Sequence, residues 1–243
     1  MSLFFAISFG LAIVVFVGGL FFKIRQYWQT EAPLKIPTTP APITTGGVWL
    51  RMGRELVFFE SLFKSNKWIW LFGWLFHASL VLVLARHLRY FQSEPWFWVN
   101  LIQPFGKYAA WGMLIGLTGL LVRRFVVDRV RYISSPSDYL MLILLIMIGG
   151  TGLLMQIIFR TDIILLQQFF LNLMALQISA FPDGVTLVLH LLGVLILLLI
   201  FPFSKLLHAP GIFFSPTRNQ VDNPREKRHV NSWVDQSNNG SAD

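Results

Sequence analysis

Five long stretches of the chain carry no Asp, Glu, Lys or Arg: Met1–Phe22, Trp68–Ala85, Tyr108–Val122, Tyr139–Phe159 and Gly184–Ser204. The third continues backwards through Trp96–Gly106, interrupted only by Lys107. In hydrocarbon a backbone must satisfy its own hydrogen bonds, and about 20 helical residues are needed to cross. The stretches therefore predict an all-α integral membrane protein with five transmembrane helices. The first run has no basic lead and no small-residue cleavage site, so it reads as a retained helix rather than a signal peptide.

Orientation follows from where the 20 Lys and Arg residues fall. Lys23, Arg25, Lys35, Arg51, Arg54, Lys64 and Lys67 lie between the first two spans. Arg123, Arg124, Arg129 and Arg131 lie between the third and fourth, and Lys205, Arg218, Arg225, Lys227 and Arg228 follow the fifth. The opposite side receives only Arg86, Arg89, Lys107 and Arg160. The positive-inside rule puts the N-terminus outside and the C-terminus in the cytoplasm, as expected for a multi-pass protein of a bacterial inner (cytoplasmic) membrane. It also assigns the net charge of +8 to topology and membrane lipid, not to nucleic acid. Ile163–Pro182 is apolar enough for a sixth span but carries Gln167, Gln168, Asn172 and Gln177, and a sixth crossing would put the basic tail outside. It is expected as a helix on the outer surface.

The expected organisation is a first helix over 1–22, a cytoplasmic loop over 23–67, a four-helix core over 68–209 and an extended cytoplasmic tail over 210–243. Within the loop, Pro33, Pro37, Pro40 and Pro42 give a stiff polyproline-like connector. It is followed by an amphipathic surface helix with Val48, Trp49, Met52, Leu56, Phe59 and Phe63 on one face; Arg51, Arg54, Glu55, Glu60 and Lys64 lie off that face. Such a helix is either a strut on the membrane surface or a ledge for a cytoplasmic partner.

The absence of cysteine excludes disulfides, cysteine-held iron–sulfur clusters and covalently attached c-type haem. Chemistry falls instead to histidine. Of five, His77 and His87 lie in the second span and His190 and His208 in the fifth and at its inner end; His229 lies in the polar tail and reads as solvated. The two spans run in opposite directions, so His87 can meet His190 near the outer face and His77 can meet His208 nearer the cytoplasm. Paired imidazoles across a porphyrin-wide gap make a bis-histidine haem b site suited to electron transfer, since no axial position stays open. Four histidines would hold two haems. The 18 residues from His190 to His208 make five turns and about 27 Å, whereas the 10 from His77 to His87 rise only about 15 Å with an offset of about 80°. Helix tilt and a kink at Pro202 are expected to absorb the mismatch.

The blander reading of one intramembrane histidine is an inter-helix hydrogen bond. A proton relay would need carboxylates beside the histidines, but Asp138 and Asp183 sit at span edges. That leaves three hypotheses: a dihaem cytochrome b, a non-redox transporter using a histidine relay, and a plain assembly anchor. Arg86 and Arg89 flank His87, where they can pair with haem propionates. Lys107, near Gln103 and Tyr108, can donate to a quinone carbonyl beside the outer haem or simply snorkel to the headgroups. Gly112, Gly116 and Gly119, and Gly149, Gly150 and Gly152, either let helices touch or leave room for a flat cofactor.

With five spans, a histidine pair ten apart and another eighteen apart, the sequence resembles the gamma subunit of respiratory nitrate reductase (the NarI family). That resemblance implies haem ligation by His77, His87, His190 and His208. It also implies a quinol-binding role for Lys107, twenty positions after His87, and an electron-transfer subunit of a quinone-interacting oxidoreductase. The segments LKIPTTPAP (34–42), FFESLFKSNKW (58–68), FPFSKLLHAPG (201–211) and FSPTRNQVDNPR (214–225) resemble, more closely, the DsrM family of membrane cytochromes b from sulfite-reductase-associated Dsr complexes. This second resemblance implies a cytoplasmic iron–sulfur partner like DsrK, subunits like DsrJ, DsrO and DsrP, and a place in dissimilatory sulfur metabolism. The nitrate-reductase type, oxidising quinol for another acceptor, is the alternative.

Overall fold

The structure, a computed structural model, describes residues 1–31 and 36–222. His229, Arg225, Lys227, Arg228 and Lys35 lie outside the described residues, as does the start of the connector at Pro33. Within the described residues the fold is helical, with no strand. In chain order the helices are α1 (Ser2–Gln29), α2 (Thr45–Phe58), α3 (Glu60–Ser65), α4 (Lys67–His87), α5 (Phe97–Val126), α6 (Asp128–Ile133), α7 (Pro136–Ile157), α8 (Ile163–Met174), α9 (Val185–Ile200), α10 (His208–Gly211) and α11 (Pro216–Asn219). Short 3-10 turns extend α4 to Phe91 and α9 to Phe203.

Five helices are long and apolar enough to cross a membrane: α1, α4 with its extension, α5, α7 and α9 with its extension. Their outer faces present Leu11, Val14, Val81, Leu84, Ile115, Leu140 and Ile196 to the surroundings. So much continuous apolar surface would be untenable in water and suits a bilayer. At 12 residues α8 is too short to cross; Leu166, Phe169 and Phe170 turn inward against Phe5, Phe9, Leu187 and Leu191 of α1 and α9.

The helix starts are encoded locally. Asn66 accepts from the Ile69 N–H to cap α4, and Ser135 with Asp138 forms a capping box over Pro136 at the start of α7. The helices pack in a sequence of neighbours, α4 on α5, α5 on α7, α7 on α9 and α9 on α1. The α4–α5 contact is very close because glycines line it. A methyl group at Gly116 would sit 2.8 Å from the Phe72 carbonyl oxygen, and one at Gly112 would sit 2.5 Å from the Ser79 hydroxyl. Gly119 meets Phe72 in the same way. These three glycines therefore serve helix contact. In that sequence of neighbours α4, which carries His77 and His87, and α9, which carries His190, are linked through α5 and α7.

Three expectations need correction. The amphipathic helix is not continuous: Phe59 takes a left-handed conformation (φ 50°, ψ 47°) and divides α2 from α3. The buried residues of α2 are Val48, Met52 and Glu55, while Trp49 and Leu56 are exposed. Glu55, assigned by periodicity to the polar side, pairs instead with Arg218 at 3.0 Å and accepts from the Ser61 hydroxyl at 2.8 Å. Residues 210–222 are not extended either. They turn through α10 and α11 and join the connector, the Thr38 N–H donating to the Thr217 carbonyl and the Asp222 N–H to that of Pro42. The third correction concerns the route from α9 to His208 and belongs to the site.

Candidate functional site

The histidines meet in the two expected pairs. The imidazoles of His87 and His190 lie 6.3 Å apart, centroid to centroid, with planes 14° from parallel. Those of His77 and His208 lie 6.0 Å apart at 85°. Each ring is anchored through Nδ1. His77 Nδ1 is 2.7 Å from the Gly73 carbonyl oxygen, His87 Nδ1 is 2.6 Å from that of Val83, His190 Nδ1 is 2.9 Å from that of Ile148, and His208 Nδ1 is 2.8 Å from that of Lys205. A carbonyl oxygen can only accept, so Nδ1 carries the proton in all four, and the bare lone pair is at Nε2. That is the form in which imidazole binds a metal, with the second-shell acceptor already in place. One metal held at about 2.0–2.1 Å by two imidazole nitrogens puts the ring centroids about 6 Å apart. The donor sets and the spacing of both pairs thus fit an iron macrocycle.

His77 is also held by aromatic rings. The rings of Phe59 and Phe76 pack on it edgewise at 5.0 and 4.7 Å. The left-handed joint at Phe59 is fixed by two tryptophans of α4: Trp70 and Trp74 donate their indole N–H groups to the Phe58 and Val57 carbonyls.

The route to His208 departs from the expected kink. Helix α9 stops at Ile200, Pro202 closes a 3-10 turn, Ser204 is fully extended, and a second 3-10 turn, Lys205–Leu207, leads into His208. The unequal spacings of the pairs are reconciled because the chain leaves the helix axis, so 27 Å of rise is never built.

Around His87 and His190 the structure gives the glycines of α7 separate roles and adds Thr151 and Gln156, which sequence reading did not identify. A methyl at Gly152 would sit 3.2 Å from His190 Cε1, so glycine there lets the ring reach the Ile148 carbonyl. The Thr151 hydroxyl lies 3.2 Å from His190 Nδ1. Gly149 contacts Met113 and Leu114, whereas Gly150 faces open space. Gln156 accepts from Arg86 at 3.0 Å and donates to the Lys107 carbonyl at 3.3 Å, linking α4, α5 and α7. Only the position of Gln156 on the Gly152 face, one turn on, hinted at this.

Arg86 and Arg89 find amides, not carboxylates, as partners among the described residues. Arg86 donates to Gln156 and Arg89 to Gln103 at 3.1 Å, with a longer bond from Arg89 to the Tyr90 hydroxyl at 3.4 Å. The buried Nε of Arg89 has no hydrogen-bond partner, which fits an anionic group absent from the protein itself. The Lys107 side chain is exposed and has no ion-pair or hydrogen-bond partner among the described residues. Its helix is pressed against Arg86 at Gly106, where a methyl would come within 2.8 Å of Arg86 Cβ.

The comparisons agree with this architecture. The family model described as the nitrate reductase gamma subunit matches residues 59–223, starting at the Phe59 joint. A relative from Archaeoglobus fulgidus, named an Hdr-like menaquinol oxidoreductase cytochrome b-like subunit, is 33% identical over 92% of this chain and 81% of its own length. A protein of the same name from Archaeoglobus profundus is 28% identical over 95% of this chain and 82% of its own. A bundle with this span order, matched along most of its length, belongs to the nitrate reductase gamma subunit family.

Proposed function

We propose that the chain is a dihaem cytochrome b that exchanges electrons between a menaquinol-type quinone on one side of the membrane and a cytoplasmic iron–sulfur subunit on the other. The observation that carries the reading is the common state of the four histidines: every Nδ1–H is committed to a carbonyl and every Nε2 is left bare, in two pairs about 6 Å apart. His87 and His190 hold the outer haem, His77 and His208 the inner one. When bound, the haems supply one-electron transfer through the hydrocarbon. The protein's work is to fix the ligands, to neutralise the propionates with Arg86 and Arg89, and to offer Lys107 as donor to a quinone carbonyl at the outer edge.

The names of the Archaeoglobus relatives support the quinone, and the basic inner loops support an orientation with the N-terminus outside. The Dsr-type assignment, with partners like DsrK, DsrJ, DsrO and DsrP, rests on the segment resemblance and extends this reading. On it, α2 lies at the cytoplasmic surface and the exposed Trp49, Leu50 and Phe58 face lipid or the iron–sulfur partner. A histidine relay for protons is disfavoured because the buried carboxylates among the described residues, Glu55 and Asp138, sit at helix ends and are taken by Arg218 and Lys205.

The test is a reduced-minus-oxidised visible spectrum with a haem count on the purified chain. Two b-type haems per polypeptide are expected; a silent spectrum overturns the proposal.

A further inference from the structure

Three of the four histidines take their Nδ1 acceptor from a long helix, at Gly73, Val83 and Ile148. His208 does not. Its acceptor is the carbonyl of Lys205, in a three-residue 3-10 turn that follows an extended residue. Such a turn has little rigidity of its own.

Lys205 is held from outside the turn. Its ammonium lies 2.7 and 2.8 Å from the two carboxylate oxygens of Asp138. Asp138 is 8% exposed, and its carboxylate also accepts from the Ser135 N–H and hydroxyl at 3.0 Å, with Arg124 at 3.7 Å. It is therefore fixed by the first turn of α7 and by the end of α5. The other flank is set by Pro202, which packs so closely on Gly19 of α1 that a methyl there would come within 2.6 Å.

We propose that Asp138 and Lys205 form a positioning clamp that sets the plane of the His208 imidazole, so that the inner pair stands crossed while the outer pair lies parallel. The inference rests on the haem-ligation reading and deepens it. Both act through the Lys205 carbonyl on His208 Nδ1, as positioning residues and not as ligands. In ferric low-spin iron with two imidazole ligands, crossed planes leave the two π-type d orbitals nearly equal in energy and give a strongly anisotropic paramagnetic resonance signal. Parallel planes separate the orbitals and give a less anisotropic one. The angles of 85° and 14° thus make the two haems distinguishable.

The experiment compares the purified full-length chain with Lys205→Ala, Lys205→Arg, Asp138→Asn and His208→Ala, reading the low-spin signals and the haem per chain. The Lys205 side chain is 72% exposed, so its truncation leaves no cavity. Lys205→Ala and Asp138→Asn are expected to move or broaden the strongly anisotropic signal, to leave the other in place, and to weaken inner-haem retention by at most about 10-fold, the lower end for losing a second-shell partner, because the Lys205 carbonyl itself remains. Lys205→Arg, which can still pair with Asp138, is expected to keep the parent signal. If His208→Ala removes the anisotropic signal but Lys205→Ala and Asp138→Asn leave it untouched, the clamp is wrong. If His208→Ala removes nothing, the ligation reading fails first.

Discussion

Gly149, Gly150 and Gly152 stand within one turn of α7 but face three environments, which makes them a graded test of the outer site. An added methyl at Gly150 meets nothing within 4 Å, and one at Gly149 meets Met113 Cε at 2.6 Å, a flexible end. At Gly152 it meets His190 Cε1 at 3.2 Å and Nδ1 at 3.6 Å, so the imidazole must yield by a few tenths of an ångström. That shift stretches the 2.9 Å bond from His190 Nδ1–H to the Ile148 carbonyl. A neutral hydrogen bond is worth about 1 kcal/mol net, so Gly152→Ala should weaken outer-haem retention about fivefold if the bond is lost without compensation. The effect rises toward 10- to 100-fold if ligand orientation is lost with it. Haem content after detergent washing and the low-spin signal of the outer haem provide the assay. Gly150→Ala should match the parent, and Gly149→Ala should alter stability before it alters haem. The reasoning is refuted if Gly152→Ala and Gly150→Ala are alike in both readouts.

Three further outcomes follow. His77→Ala should remove the inner haem and spare the outer, and His87→Ala the reverse; equal loss of both signals from either variant contradicts the pairing. Lys107→Ala should retain both haems while slowing quinol-driven haem reduction about tenfold or more, since a hydrogen bond from a charged donor is worth about 1.5–3 kcal/mol; unchanged kinetics would leave Lys107 as a headgroup anchor. Arg218→Ala leaves the Glu55 carboxylate without its 3.0 Å partner and should cost roughly 1–2 kcal/mol after allowing for partial exposure of the pair. It should show as faster limited proteolysis of residues 210–222, and an unaltered digestion pattern would count against the role of that pair.

The spans and the histidine pairs were legible in the sequence because both depend on one-dimensional quantities, hydrocarbon thickness and residues per turn. Charge-free runs had to become helices, and histidines on antiparallel helices had to meet at matching depths. What the sequence concealed depends on partners far along the chain. Periodicity assigned Glu55 to solvent because nothing nearby in sequence reveals Arg218. Phe59 at positive φ has no local signature, since glycine or asparagine would be the expected residue there. Pro202 announced a disruption, but not that Ser204 would be extended or that Asp138 would reach across to Lys205. The glycines of α5 were ambiguous between helix contact and cofactor space until α4 was seen lying against them.

That glycine-lined seam has a consequence for how the molecule is built. Gly106 and Gly116 bring α5 against the α4 backbone, Gly112 and Gly119 bring it against the side chains of Ser79 and Phe72, and only residues 92–96 separate α5 from the turn that extends α4. Two spans sealed this way are suited to entering the lipid as a preassembled hairpin, with His77 and His87 already at fixed depths. The other two histidines, on α9 and the segment after it, are synthesised later, His190 following His87 by 103 residues. Biogenesis would then proceed like hanging a door: the jamb is plumbed first, and the leaf is adjusted to it.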